Sequence, residues 1–193
     1  MRIINQASAF AIAAHSAIGQ RRKYTEEPYW HHCREVARLI WRNSRPSTNN
    51  DEDVILDKIV AAAWLHDTVE DTKVTLADIG FVFGSEVQSL VEMVTDISKP
   101  EDGNRETRKR LDREHLAEAS PHGKTIKLAD LIDNTKSIAT YDPDFAVQYL
   151  KEKELLLPLL REGDENLYRM AEESLRWGQE QLVQHALGRA RAI

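Results

Sequence analysis

The residues His66-Asp67-Thr68-Val69-Glu70-Asp71-Thr72 put an imidazole and three carboxylates side by side, directly after the apolar stretch Ile59-Val60-Ala61-Ala62-Ala63-Trp64-Leu65. A solvated surface rarely follows such a stretch, and a core does not tolerate carboxylates there without partners. A metal ion resolves that conflict. His66 and Asp67 supply ligands, while Glu70 and Asp71 stand where a proton of activated water can be handled. On a continuous helix His66 and Glu70 are i,i+4 neighbours, and so are Asp67 and Asp71.

Two further stretches carry matching chemistry. In Lys124-Thr125-Ile126-Lys127-Leu128-Ala129-Asp130-Leu131-Ile132-Asp133-Asn134, Asp130 and Asn134 share one helical face. Apolar Ala129 and Leu131 flank Asp130, so this acid wants a cation. In Tyr29-Trp30-His31-His32-Cys33-Arg34-Glu35-Val36-Ala37, the two histidines point about 100° apart on a helix, so at most one is a ligand. One histidine, the His-Asp pair and a distant Asp make a His2Asp2 set. Such a set suits Mn, Fe, Co, Ni or Zn better than Ca or Mg. An open coordination position acidifies water, which is hydrolytic chemistry, most naturally on a phosphate ester. Local positive charge for phosphate is available from Arg22, Lys23 and Lys124, with Lys136 as a further candidate. The dense run Arg105 to Arg113 reads instead as a solvated face.

The elements that must position these residues are nearly all helical. Helical spacing predicts a helix over 3–19 ending at Gly19, a basic loop over 21–28, and a helix over 29–43. Pro46 and Asn49-Asn50 mark a loop over 44–50. The next helix, 52–69, is apolar on every face in its second half and must be buried. Thr75 opens a short helix. Ser85-Glu86-Val87-Gln88 has the form of a capping box before the stripe Val87, Leu90, Val91 and Val94. A loop over 97–104 leads to a charged helix over 105–119. Ser120-Pro121 and Asp142-Pro143 are cap-plus-proline starts, Pro158 ends a helix near 157, and Gly163-Asp164 precedes a last helix to about 190. No β-alternating segment and no Gly-rich nucleotide loop is evident.

With 193 residues, the chain reads as a single domain over 1–193, with its core at about 5–162 and a C-terminal helical extension at about 164–190. That length buries a core without disulfides, and the lone Cys33 rules out a disulfide framework or a cysteine zinc site. A reducing cytoplasm is the simplest compartment. The net charge of -6 argues against DNA or RNA as a partner. No apolar run approaches the ~18 residues of a membrane span, and the alanine-rich start continues into a periodic helix rather than a signal segment.

The order H…HD…D on an all-helical chain resembles the HD-domain metal-dependent phosphohydrolases. It is more closely similar to the RelA/SpoT family and its stand-alone small alarmone hydrolases. His66 to Thr72 looks like that family's hydrolase signature, Tyr29 to Ala37 like its first-histidine motif, and Lys127-Leu128-Ala129-Asp130 like its last-ligand motif. Arg21-Arg22-Lys23 stands where the family has a basic base-recognition loop. The likeness covers roughly residues 5–140. It implies an all-α HD bundle of about eight to ten helices, with one Mn2+ held by His32, His66, Asp67 and Asp130. It implies Glu70 and Asp71 as the water-activating pair, Asn134 near the scissile phosphate and Ser137 where threonine is common. Arg22, Lys23 and Lys124 would meet the nucleotide. The implied reaction removes pyrophosphate from the 3′ position of a guanosine alarmone such as ppGpp, leaving GDP or GTP. The length leaves no room for a synthetase domain. Cys33 replaces a usual proline, and Asp133 stands where an aromatic residue or histidine is common. Two other readings stay open: a hydrolase of (p)ppApp or another nucleotide, and a non-catalytic metal- or nucleotide-binding helical module. Leu167, Met170, Leu175 and Trp177 leave the last helix free to pack on the domain or to mediate a homodimer.

Overall fold

Helical periodicity becomes ten α-helical segments in a computed structural model that describes residues 3–44 and 50–191. The expected loop at Pro46 falls outside the described residues. The segments are α1 (Ile3–Ala17), α2 (Trp30–Asn43), α3 (Asn50–Leu65), α4 (Thr68–Asp71), α5 (Leu76–Phe83), α6 (Ser85–Val94), α7 (Arg105–Ala117), α8 (Pro121–Tyr141), α9 (Pro143–Leu156) and α10 (Glu165–Arg191). Short 3-10 turns lie at Pro100–Asp102 and Leu157–Leu160. Among the described residues the only β pairing is one isolated bridge between Arg21 and Pro28, so the all-α expectation holds.

The cap signals act as their chemistry dictates. The Ser120 hydroxyl accepts from the Gly123 amide and the Asp142 carboxylate from the Phe145 amide, each with proline in the first turn. Thr75 and Asp78 form a reciprocal capping box. The box expected at Ser85–Gln88 does not form. Gly84, at φ 87°, ends α5 and starts α6 at once, so Ser85 is already helical and the Gln88 amide donates to the Gly84 carbonyl. The helix expected over 52–69 also corrects. It stops at Leu65, turns at His66-Asp67 and resumes as the single turn of α4.

α3 lies at the centre, against α1, α2, α6 and α8. Its second half is buried, with Ala61, Ala62, Ala63 and Leu65 fully enclosed. Burying Val87, Leu90, Val91 and Val94 of α6 against it contributes about 1.5–3 kcal/mol each before chain entropy is charged. The other axis is α8, which touches α2, α6, α9 and α10. Gly163 fixes one of these approaches: a Cβ there would lie 2.8 Å from Leu128 and 3.1 Å from the Thr125 amide nitrogen. Leu167, Ala171 and Leu175 seat the first half of α10, whereas Val183 and Leu187 are exposed farther along. The two axes, α3 and α8, are the ones that carry the His-Asp pair and Asp130.

Candidate metal centre and active site

Three elements bring four ligand-type side chains to one point. His32 comes from α2, His66 and Asp67 from the turn after α3, and Asp130 from α8. Asp67 Oδ2 lies 3.0 Å from His66 Nε2 and 3.4 Å from His32 Nε2. Asp130 Oδ1 lies 3.2 Å and 3.8 Å from the same two nitrogens. Ligand atoms of His32, His66 and Asp67 all fall within 4.8 Å of one another. Both histidines are buried, yet neither Nε2 has a well-aligned hydrogen-bond partner. Buried polar atoms are almost always satisfied. Two orphaned lone pairs facing two carboxylates therefore fit a divalent cation among them, with N and O donors suited to a transition metal.

The remaining contacts hold these groups in ligand form. His32 Nδ1 is 2.7 Å from Asp133 Oδ2, and His66 Nδ1 is 2.8 Å from the Ala63 carbonyl. A proton kept on each Nδ1 leaves each Nε2 lone pair free for a cation. The Ala63 carbonyl is one of those the end of α3 leaves open, so the break after Leu65 orients the ligand. Tyr29 donates to Asp67 Oδ2 at 2.6 Å, Asn134 Nδ2 donates to Asp130 Oδ1 at 2.5 Å, and Lys127 Nζ pairs with Asp130 Oδ2 at 3.0 Å.

Electrostatics agree with a cation site. Burial alone would discharge His66, but Asp67 and Asp130 override it and push its pKa up to about 9. His32 is likewise raised well above its usual value, against its burial, by the carboxylates of Asp130, Asp133 and Asp67 around its ring. Burial opposes charge on Asp130, yet Lys127 and the two histidines hold it well below the usual carboxylate range.

Glu70 and Asp71 diverge from this centre to either side. Glu70 Oε1 accepts from the Asp96 amide at 2.7 Å. Although one side of Glu70 reaches water, surrounding protein desolvates its carboxyl and, with the negative charges of Asp67 and Asp96, raises its pKa to about 7. It lines a cleft of about 410 Å³ with Asp96, Ser98, Arg105, Arg108 and Lys109. Asp71 instead accepts from Gln20 at 2.9 Å, and Gln20 Oε1 in turn lies 2.6 Å from His15 Nδ1.

A family model described as "HD domain" matches residues 7–155. The chain belongs to the HD-domain family. It is similar to the guanosine-3′,5′-bis(diphosphate) 3′-pyrophosphohydrolase MESH1 of Xenopus tropicalis, 36% identical over 146 residues, spanning 74% of this chain and 73% of the relative. The Homo sapiens MESH1 is 37% identical over 143 residues, 72% and 71% of the two chains. A solved structure described as a metazoan orthologue of SpoT that hydrolyses ppGpp superposes with a TM-score of 0.77 at 29% identity, covering 94% of this chain and 97% of that one. This HD domain is thus of the RelA/SpoT hydrolase type, and its fold is that of a metal-dependent hydrolase.

Within the HD domain, His32 and not His31 reaches the centre. His31 lies half-buried beside Trp30 and 3.7 Å from Glu27. Lys124 does not join. Six residues before Asp130, it points about 120° away around α8, and its ammonium pairs with Glu162 at 2.5 Å. Lys127 takes the place beside Asp130. The run Arg105 to Arg113 is not merely a solvated face, because Arg105, Arg108 and Lys109 line the Glu70 cleft. Arg22 bonds Asp133 Oδ2 at 2.7 Å. Lys23 stands exposed, 3.0 Å from Asp142, and Ser137 is half-buried on α8. Sequence reasoning passed over Tyr29 and Gln20 as contacts of Asp67 and Asp71. Tyr29 lay inside the first-histidine motif, three residues before His32, and was the available signal. Gln20 had none.

Proposed function

We propose that this chain is a Mn2+-dependent 3′-pyrophosphohydrolase of guanosine alarmones, converting (p)ppGpp to GDP or GTP and pyrophosphate. The observation that carries the reading is the pair of buried, unpartnered imidazole nitrogens facing Asp67 and Asp130, one turn from a carboxyl with a pKa of about 7. The substrate comes from the relatives, whose names specify guanosine bis(diphosphate).

His32, His66, Asp67 and Asp130 would hold the ion. When bound, it supplies positive charge that acidifies water and offsets phosphate charge. Glu70 takes the proton of the attacking water, a task for which a pKa near neutral is suited. The water oxygen bonds to the phosphorus on the ribose 3′ oxygen, the bond between that phosphorus and the 3′ oxygen breaks, and the 3′ oxygen takes a proton as pyrophosphate departs. Asp71, fixed by Gln20, supports the same proton path from the other side. Asn134 orients Asp130 and stands next to the scissile group. Lys23 and Ser137 contribute on the nucleoside side. Among the described residues Arg108 is the cleft cation with no carboxylate partner, so it is available to the departing phosphates. We also read α10 as part of the same single unit, because it packs on α8, and we place the reaction in the cytoplasm. Among the described residues no helix is long and apolar enough to cross a membrane.

A substrate panel tests the reading. With Mn2+, ppGpp and pppGpp should release pyrophosphate, while ordinary nucleotides should not. Hydrolysis of ppApp alone would move the reading to an adenosine alarmone, and metal and nucleotide binding without pyrophosphate release would make the chain a sensor.

A further inference from the structure

The basic loop between α1 and α2 is wired to the metal centre through a single carboxylate oxygen. Asp133 Oδ2 lies 2.7 Å from Arg22 Nη2 and 2.7 Å from His32 Nδ1. The three side chains are well enclosed, with Arg22 13%, Asp133 15% and His32 1% exposed. We infer that Asp133 is a positioning residue for the metal ligand His32, and that Arg22 is the clamp that neutralises Asp133. The inference rests on the reading of His32 as a ligand.

Three observations support it. First, the two histidines are held differently. His66 leans on the neutral Ala63 carbonyl, whereas His32 leans on a full negative charge. A carboxylate on Nδ1 fixes the tautomer more firmly and makes Nε2 a stronger donor to a cation. Second, a carboxylate this enclosed needs a counter-charge, and Arg22 provides one in the only ion pair it forms among the described residues. Third, the loop is built to deliver Arg22. Its amide donates to the Glu27 carbonyl at 2.8 Å, Arg21 bonds the Glu26 carbonyl at 2.6 Å, and Glu26 sits at φ 57°, a conformation a non-glycine residue adopts only when its surroundings insist.

The two roles differ in what they do to metal binding when no nucleotide is present. Calorimetric titration of Mn2+ into nucleotide-free protein should show Asp133→Asn weakened about tenfold or more. Arg22→Gln should be weakened severalfold, and each variant should melt lower than wild type without metal because it leaves an enclosed charge unpaired, so affinity is read below that melting temperature. If Arg22 served the substrate alone, Mn2+ affinity would be unchanged and only KM would rise. That result, or wild-type affinity in Asp133→Asn, overturns the inference. Arg22→Lys keeps the charge and should recover part of the affinity, which serves if Arg22→Gln fails to fold. Wild-type protein that takes up no Mn2+ would overturn the metal centre itself, a different result from variants that match a binding-competent wild type.

Discussion

Two groups of charge flank Glu70, and they are built in opposite ways. On one side the His-Asp centre is enclosed, and each of its four side chains has a further contact that fixes it: Asp133 on His32, Ala63 on His66, Tyr29 on Asp67, Asn134 and Lys127 on Asp130. On the other side the Arg105–Lys109 turn borders an open cleft. There Arg105 forks onto Glu152 at 2.7 and 2.9 Å, Lys109 shares Asp96 and Asp112, and Arg108 has no ion pair among the described residues. Buried charges must be fully paired or the fold loses several kcal/mol, so geometry at the centre is rigid. Arg105, Lys109 and Asp96 are each about a third exposed, so their pairs carry less energy than enclosed ones and the cleft can exchange partners. The proposed function needs both: a rigid place for a cation and an adaptable one for phosphate.

The largest test breaks the rigid side. Asp67→Ala should abolish divalent-metal binding and pyrophosphate release together, read by metal analysis and a pyrophosphate assay. Metal retained at wild-type stoichiometry would mean the centre does not depend on the turn after α3. Glu70→Gln sits on the boundary between the two regions and should separate them. It should keep the metal and lose turnover by roughly 10²–10⁴-fold, the usual worth of a positioned base. Full activity in that variant would remove Glu70 from the reaction.

Acidity sharpens the same contrast. His66 has a folded pKa of about 9 against about 6.5 for an unfolded histidine. A raised value means that its stabilisation is fully present below pH 6.5 and lost as pH rises through 9. The metal-free protein should therefore melt at progressively lower temperature across that window. Mn2+ should reverse the trend, because only neutral imidazole binds the ion. A flat metal-free profile would mean that the histidines are not held by Asp67 and Asp130. Turnover should rise with pH through about 7 as Glu70 ionises, and Glu70→Gln should erase that limb.

The His-Asp pair, Asp130 and the helix starts at Ser120 and Asp142 were legible because each is a local signal, a ligand type beside apolar residues or a cap beside proline. Helix phase also separated His31 from His32 into one ligand at most, and burial then placed His32. What was not legible depended on where distant turns meet. The 52–69 periodicity is helical throughout, so nothing local announced the break after Leu65. Lys124 and Lys127 look alike in sequence; i,i+3 spacing on α8 gives Lys127 to Asp130, whereas only the return of the chain before α10 brings Glu162 to Lys124. The Arg105–Lys109 turn read as solvent-facing because charge density says nothing about which carboxylate lies across a cleft. Asp133 was visible as a departure from the family pattern, but its bond to Arg22 joins positions 111 residues apart.

The smallest effects test the adaptable side, with two arginines on one helix as the paired comparison. Arg108 faces the cleft without an ion-pair partner among the described residues, whereas Arg110 pairs with Glu114 at 2.7 Å on an exposed face. If the cleft receives phosphate, Arg108→Gln forfeits a charge-assisted hydrogen bond worth about 1.5–3 kcal/mol when shielded, less when wet. KM for ppGpp should then rise about tenfold, while Mn2+ affinity stays unchanged because no ligand is touched. Inhibition by added pyrophosphate should weaken in parallel, since product and substrate share the contact. Arg110→Gln breaks only a surface pair and should change stability by less than about 0.5 kcal/mol and KM not at all. Equal KM for the two variants would return the whole 105–113 run to a solvated face and leave the departing phosphates to the cation alone.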